Sequence, residues 1–191
     1  IADRGMVSLV GASGSGKSTM ASLLMKRSKN YSGKIFVGET DFNEISEKSV
    51  MENITYISHS SYIFKGTVRD NLLMAKADAK DEELWDVLKK TNLADFFESD
   101  DGLDFQIVEA GGNLSGGQKQ RLALARGLLH GSRFYIFDES TSNIDVESEE
   151  VILEQIKELA KYKGVLMISH RLANVVSSDK IFVLDEGQLK E

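Results

Sequence analysis

The sequence has no cysteine and no hydrophobic run long enough to cross a bilayer. Without cysteine, disulfides, thiolate metal sites and cysteine nucleophiles are excluded. The longest apolar runs, Phe134 to Phe137 and Val165 to Ile168, have the length of strands. A transmembrane helix needs about 20 apolar residues, so these runs predict buried strands and not membrane spans.

The sequence also lacks an excess of positive charge. It has 23 Lys and Arg against 30 Asp and Glu, a net charge of −7. Nucleic-acid-binding proteins normally present a basic patch, so this balance argues against a nucleic acid partner. It does not exclude phosphate ligands, because local geometry can hold those. The 41% of hydrophobic and 28% of charged residues are typical of a globular domain with a packed core.

Strand-sized apolar runs alternate with segments of helical spacing along the chain. The strand-like runs are Met6 to Val10, Lys34 to Val37, Ile54 to Ile57, Phe134 to Phe137, Val165 to Ile168 and Lys180 to Leu184. The helical segments are Lys17 to Arg27, Asp81 to Thr91, Gln118 to Leu129 and Val146 to Tyr162. This alternation predicts an α/β fold with a mostly parallel sheet and helices on both faces.

The stretch from residue 66 to residue 129 has few strand signals. We therefore predict one domain over 1–191, with a core of about 1–65 and 130–191 and an inserted α-helical subdomain of about 66–129. The first strand begins within a few residues of Ile1, and a hairpin-like turn lies just before Glu191. We expect both ends to be trimmed from a longer chain.

The first candidate site is a glycine-rich loop between the first strand and the first helix. Residues 11 to 18 read GASGSGKS and fit the pattern G-x-x-x-x-G-K-[ST] at every position. Glycines let backbone N–H groups converge on phosphate oxygens, and the following helix presents its positive end to the same anion. The sequence therefore predicts a nucleotide phosphate site made by Gly11, Ser13, Gly14, Ser15, Gly16, Lys17, Ser18 and Thr19.

Two carboxylates follow the predicted buried strand at Phe134 to Phe137. Asp138 and Glu139 should lie at the carboxyl edge of the sheet, where ligands bind in this fold class. Asp138 could hold Mg²⁺ through water, and Glu139 could orient or deprotonate an attacking water. Acidic pairs at strand ends are common, so the functional interpretation depends on the phosphate loop being present as well.

A second glycine motif precedes the helix that starts near Gln118. Ser115 and Gln118 have the spacing of a capping box, which predicts a helix N-terminus at Leu114 to Gln118. Such an end could be a plain structural cap or a second phosphate site. One small domain rarely needs two sites for a γ-phosphate, whereas two copies arranged head to tail would use both.

The order of these motifs resembles the nucleotide-binding domain of ABC transporters over almost the whole chain. The phosphate loop is similar to Walker A, Leu114 to Gln118 to the signature LSGGQ, and Phe134 to Glu139 to Walker B with its catalytic glutamate. Ser142 to Asp145 resembles the D-loop, and His170 stands where the family has its switch histidine. Tyr62 to Asn71 and Val108 to Gly111 are similar to segments of exporter-type members.

The resemblance implies an ATPase that uses ATP and Mg²⁺ and works as a head-to-tail dimer with a second nucleotide-binding domain. It also implies a transmembrane domain, usually fused in the same chain, and a position at the cytoplasmic face of the membrane. Each ATP would lie between Walker A of one copy and the signature of the other. The residues in this role are Ser115, Gly116, Gly117 and Gln118 of the signature and Asp145 of the D-loop. The resemblance assigns catalysis to Glu139, His170 and Lys17, and Mg²⁺ binding to Ser18, Asp138 and His59.

His59 departs from the family, which has glutamine at this Q-loop position. Histidine has a shorter reach and can be protonated, so metal coordination and coupling could differ here. His170 could also be a plain strand-end histidine. Asp145 could cap the helix that follows it as well as make a contact across the dimer.

Other functions remain open. A catalytically weak regulatory half of an asymmetric ABC pair stays possible because of His59. DNA-repair or chromosome-organising ABC ATPases carry a long coiled-coil insertion, whereas here only Thr19 to Asn113 separate the two glycine motifs, without sustained heptads. The LSGGQ segment argues against a small-molecule kinase.

Overall fold

The computed structural model describes residues 2–141 and 144–190. Its strands are β1 (Gly5–Val10), β2 (Phe36–Val37), β3 (Thr40–Asp41), β4 (Ile54–Ser58), β5 (Gly66–Thr67), β6 (Gln106–Ile107), β7 (Phe134–Asp138), β8 (Gly164–Ser169), β9 (Lys180–Asp185) and β10 (Gln188–Leu189). Its α-helices are α1 (Lys17–Leu24), α2 (Glu47–Asn53), α3 (Val68–Leu73), α4 (Asp81–Lys90), α5 (Ala94–Glu98), α6 (Gly116–His130) and α7 (Val146–Ala160). Apart from the strand predicted at Lys34 to Val37, the predicted strands and helices appear within a few residues of their expected bounds.

Six strands form the main sheet in the order β10-β9-β1-β8-β7-β4. The strand β1 runs parallel to both β8 and β9, and β7 runs parallel to β8. The strand β10 is paired antiparallel to its neighbour β9. All residues of β8 are buried, as expected for an apolar strand with a parallel partner on each side. The mostly parallel sheet predicted from the sequence is confirmed.

The chain divides into two compact units. The first, here called the sheet unit, comprises Ile1–Tyr56, Ser132–Asp138 and Lys163–Glu191. The second, here called the helical unit, comprises Ile57–Gly131 and Glu139–Tyr162. The segment from 66 to 129 that we predicted as a helical subdomain lies within the helical unit, which also includes α7.

The core of the sheet unit joins α1 to the strands that flank the phosphate loop. The apolar cluster contains Leu9, Ala21, Ile136, Leu166, Ile168 and Leu184. Leu9 belongs to β1 and Ala21 to α1, so the strand before the phosphate loop and the helix after it are anchored in one core. A loop that is held at both ends in this way can keep its backbone N–H groups in a fixed arrangement.

The core of the helical unit is built by α3, α4, α5 and α6. Its fully buried side chains include Leu72, Leu84, Leu88, Phe97 and Leu122. The helix α4 has three acidic residues in its first turn and two lysines in its last, which suits the helix dipole. Its apolar face, predicted as Leu84, Val87 and Leu88, is buried as expected.

One predicted strand differs from the structure. We expected Lys34 to Val37 to be a strand of the alternating pattern, but only Phe36–Val37 is extended, and it pairs antiparallel with β3 in a separate two-stranded sheet. Gly38 has a φ of +60° between the two strands. A glycine with positive φ favours a tight two-residue hairpin turn, and this local preference explains the separate ribbon.

Candidate nucleotide-binding site

The phosphate loop lies between β1 and α1 and is held by the end of the chain's last hairpin. A Cβ on Gly11 would lie 2.0 Å from the backbone oxygen of Leu184, so no other residue fits there without backbone movement. The amide of Gly187 donates to the carbonyl of Ser15 at 3.1 Å. Gly14 adopts a φ of +81°, in the left-handed region that favours glycine.

The start of α1 has no side-chain cap. Gly16 is the N-cap residue and has a φ of +106°. The first N–H groups of a helix have no partner within the helix, and a glycine cap leaves them without a side-chain acceptor. Ser18 and Thr19 in this first turn are exposed. The helix end therefore offers backbone donors and hydroxyl groups to an anion.

The lysine of the loop is buried and points into it. Lys17 is only 5% exposed. Its Nζ donates to the carbonyls of Gly11 at 2.9 Å and Ala12 at 2.8 Å, and lies 3.4 Å from the hydroxyl of Ser15. The ammonium group is thus held inside the loop by the loop's own oxygens.

The first acidic residue ends β7, as predicted. Asp138 is 6% exposed, and its Oδ2 accepts a hydrogen bond from the hydroxyl of Tyr56 at 2.8 Å. Tyr56 lies on β4, the neighbour of β7 in the sheet. Burial first, and the hydrogen bond to Asp138 second, raise the pKa of Tyr56 to about 12. The hydroxyl is therefore protonated at neutral pH and donates to the carboxylate.

The second acidic residue has a strained backbone. Glu139 follows the last residue of β7, is half-buried and has a φ of +49°. The left-handed region costs an L-residue about 1–2 kcal/mol, and such outliers concentrate at functional sites.

The signature segment forms the capping box predicted from its spacing. The Ser115 hydroxyl accepts from the amide of Gln118 at 3.2 Å, and the Gln118 side chain accepts from the amide of Ser115 at 2.8 Å. Ser115 and Gly116 are exposed. Because the hydroxyl uses only a lone pair in the cap, its proton remains able to bond to an external oxygen.

Gly117 packs tightly against the start of α7 in the same chain. A Cβ at this position would lie 2.2 Å from Ser148 Oγ and 2.6 Å from Asp145 Oδ2. Asp145 caps α7, and its Oδ1 accepts from the amide of Ser148 at 2.8 Å. This backbone hydrogen bond is the main reason that the pKa of Asp145 is lowered. The capping role that we considered for Asp145 is therefore present.

Replacing Gly117 with alanine is expected to destabilise the protein by about 1–3 kcal/mol, because the added methyl group overlaps Ser148. Chemical denaturation without nucleotide measures this change. Gly116→Ala, at an exposed position of the same helix, is the matched control and should be neutral or slightly stabilising because alanine is the better helix former. Equal stability of the two variants would show that the start of α7 can accommodate a methyl group at position 117.

The remaining predicted site residues lie in several parts of the chain. His59 follows β4, has an exposed side chain, and its backbone oxygen accepts a hydrogen bond from the buried Gln120 of α6. His170 directly follows β8 and is exposed. Ser142 and Asn143 of the D-loop lie outside the described residues.

The donor set suits a magnesium ion that keeps phosphate and water ligands. Across 2–141 and 144–190 there is no group of three or more His, Cys, Asp or Glu side chains that could hold a metal alone. Mg²⁺ is usually bound by one or two protein oxygens together with substrate phosphates and water. Asp138 and the exposed hydroxyl of Ser18 are oxygen donors of this kind, so the residues fit the ion.

Comparison with known proteins agrees with this geometry. A family model described as ABC transporter matches residues 1–142. An uncharacterized ABC transporter ATP-binding protein of Haemophilus influenzae is 53% identical over 182 residues, covering 95% of this chain and 32% of that protein. The ATP-dependent lipid A-core flippase 1 of Colwellia psychrerythraea is 36% identical and covers 97% of this chain and 31% of that protein.

A solved structure of a bacterial Atm1-family ABC exporter with ATP bound superposes on the whole chain. The TM-score is 0.92 at 34% sequence identity, over 33% of the exporter chain. The chain belongs to the ABC transporter family and has the fold of its ATP-binding domain in exporters. The predicted family, fold and ATPase class are therefore confirmed.

The chain spans about one third of the length of these relatives. Among the residues that the structure describes, no helix is both long and apolar enough to cross a membrane.

Proposed function

We propose that this chain binds ATP with Mg²⁺ and hydrolyses it as one half of a head-to-tail pair, and that the cycle drives export through a transmembrane domain. The observation that carries the proposal is the pair of helix N-termini suited to phosphate within one chain. One belongs to the phosphate loop with its buried Lys17. The other is the exposed start of α6 at Ser115.

The phosphate loop would hold the nucleotide. Its glycines and the uncapped start of α1 present N–H groups, and Lys17 would exchange the loop carbonyls for the β- and γ-phosphate oxygens. The loop oxygens that now hold Lys17 are weaker partners than charged phosphate oxygens. The loop is therefore prepared for an anion that outcompetes its internal hydrogen bonds.

Hydrolysis would use the residues that directly follow β7 and β8. Glu139 would accept a proton from the attacking water, and His170 would position that water and contact the γ-phosphate. Ser18 and Asp138 would hold Mg²⁺, with His59 as a further contact in place of the family's glutamine. When bound, this ion neutralises charge on the phosphate oxygens.

The second copy would complete each site. Its exposed Ser115 hydroxyl could donate a hydrogen bond to the γ-phosphate while the capping box keeps the oxygen in place. Gly116, the amide of Gly117 and Gln118 would lie beside it. Asp145 would lie near the interface between the two copies.

Coupling to transport is supported by the relatives. The flippase and the exporter are about three times as long as this chain, which corresponds to their ATP-binding part. We propose that the domain acts at the cytoplasmic face of a membrane, beside a transmembrane domain that is fused in the same protein.

Steady-state ATPase activity, measured with Mg²⁺ over a range of protein concentrations, tests the composite site. We expect the specific activity to rise with concentration, because in the proposed arrangement each phosphate loop needs the signature of a second copy. Mixing Lys17→Ala with Ser115→Ala protein should restore part of the activity that each variant lacks alone, because one of the two sites in the mixed pair is intact.

Activity that is measurable but independent of concentration, with no complementation, would contradict the head-to-tail arrangement. ATP binding with no turnover at any concentration would favour a regulatory half of an asymmetric pair.

A further inference from the structure

The hydroxyl of Tyr56 lies against the carboxylate that we assign to magnesium. It donates to Asp138 Oδ2 at 2.8 Å, between neighbouring strands of the sheet. Both residues belong to the sheet unit. No sequence motif marks Tyr56, so its role depends on this contact alone.

The carboxylate of Asp138 has few possible hydrogen-bond donors besides Tyr56. Asp138 is only 6% exposed, so bulk water has limited access to it. A hydrogen bond to an ionised group is stronger than one between neutral groups and fixes its orientation. The bond from Tyr56 engages one carboxylate oxygen and leaves the other for an outside partner.

Tyr56 is itself held in place. The guanidinium of Arg27 lies 4.7 Å from the centre of the tyrosine ring. Arg27 is close to the end of α1, the helix that starts at the phosphate loop. A cation over one face of an aromatic ring restrains the ring, so the hydroxyl has a defined position.

We propose that Tyr56 is a positioning residue for magnesium, which orients the Asp138 carboxylate so that one oxygen faces the ion or its bound water. The inference rests on the proposed role of Asp138 as a magnesium-binding residue. Partners of metal-binding side chains typically change metal affinity by about 10- to 100-fold when they are lost. Because Asp138 would act through water, we expect an effect near the lower limit.

The test compares ATP affinity in Mg²⁺ with ATP affinity in EDTA, for the purified protein and for Tyr56→Phe. The ratio of the two affinities reports the coupling between metal and nucleotide. Tyr56→Phe keeps the ring and removes only the hydroxyl. We expect the ratio to fall about tenfold, with the affinity in EDTA unchanged and a matching rise in the Mg²⁺ concentration that half-saturates turnover.

Tyr31→Phe is the matched control. It removes a hydroxyl that donates to the neutral side chain of Asn43, at 3.0 Å from Oδ1, in the same unit. This variant should leave the ratio unchanged. Denaturation curves of both variants separate a folding defect from a change in metal coupling.

An unchanged ratio in Tyr56→Phe would overturn the inference, and so would an equal loss of affinity with and without metal. Asp138→Asn distinguishes the two levels of the argument. If Asp138→Asn loses the metal response and Tyr56→Phe does not, only the positioning role fails. If neither variant alters the response, the assignment of Asp138 to magnesium fails as well.

Discussion

Replacing Glu139 with glutamine is expected to lower ATP turnover by about 100- to 10,000-fold, the range that a lost general base typically produces. The amide has nearly the same shape but cannot accept a proton from water at neutral pH. ATP affinity should be retained, because the phosphate loop and Lys17 are untouched. Single-turnover hydrolysis and equilibrium ATP binding, measured on the same sample, give the two quantities.

The matched control for Glu139→Gln is Glu186→Gln. Glu186 is also a glutamate with positive φ, 46°, but lies in the turn between β9 and β10 and has no proposed contact with water or phosphate. It should keep most of the activity. Turnover of Glu139→Gln within about tenfold of the parent protein would contradict the role of Glu139 as a general base.

Replacing Lys17 with alanine is expected to weaken ATP binding by about 30- to 4,000-fold. This range corresponds to the 2–5 kcal/mol lost when one member of a buried charge pair is removed, at about 1.4 kcal/mol per tenfold. Stability without nucleotide must be measured alongside, because the loss of Lys17 also leaves the carbonyls of Gly11 and Ala12 without its ammonium donor. Calorimetric titration with ATP, beside a denaturation curve, measures both effects.

Lys34→Ala serves as the control for charge. It removes one positive charge from an exposed position of the same unit without touching the loop. If both lysine variants bound ATP as the parent protein does, the buried ammonium group would not be a phosphate ligand. If Lys34→Ala alone weakened binding, the general charge of the surface would be responsible.

Local patterns gave the fold class and the positions of the main motifs. The capping box at Ser115 could be predicted because a side chain and a backbone amide three residues apart determine it. The same holds for α4, whose apolar face follows from helical spacing. The hairpin at Gly38 was missed because two-residue strands carry little periodicity, although the glycine itself is a turn signal.

Contacts between distant segments could not be read from one sequence. Tyr56 meets Asp138 across 82 positions, and the pairing depends on β4 lying beside β7. Gln120 reaches the backbone of His59 across 61 positions. Nothing in the sequence gives the strand order of a sheet, so neither contact had a signal that periodicity or motif spacing could detect.

The packing of Gly117 shows a related limit. The family resemblance placed Gly117 beside the ATP of a second copy, whereas the structure shows a reason for glycine within the chain, its contact with the start of α7. A motif glycine can therefore serve two needs at once, and its sequence identity does not separate them.

The neighbours of β1 determine when the phosphate loop can form during synthesis. The strand pairs with β8 and β9, and the amide of Met6 donates to Asp179 across 173 positions. Gly11 lies against the backbone of Leu184, so a nascent chain that has not yet released β9 lacks this support of its loop. Contacts of such long range slow folding. We therefore expect the contacts that hold the phosphate loop in this arrangement to form only after β8 and β9 have been synthesised.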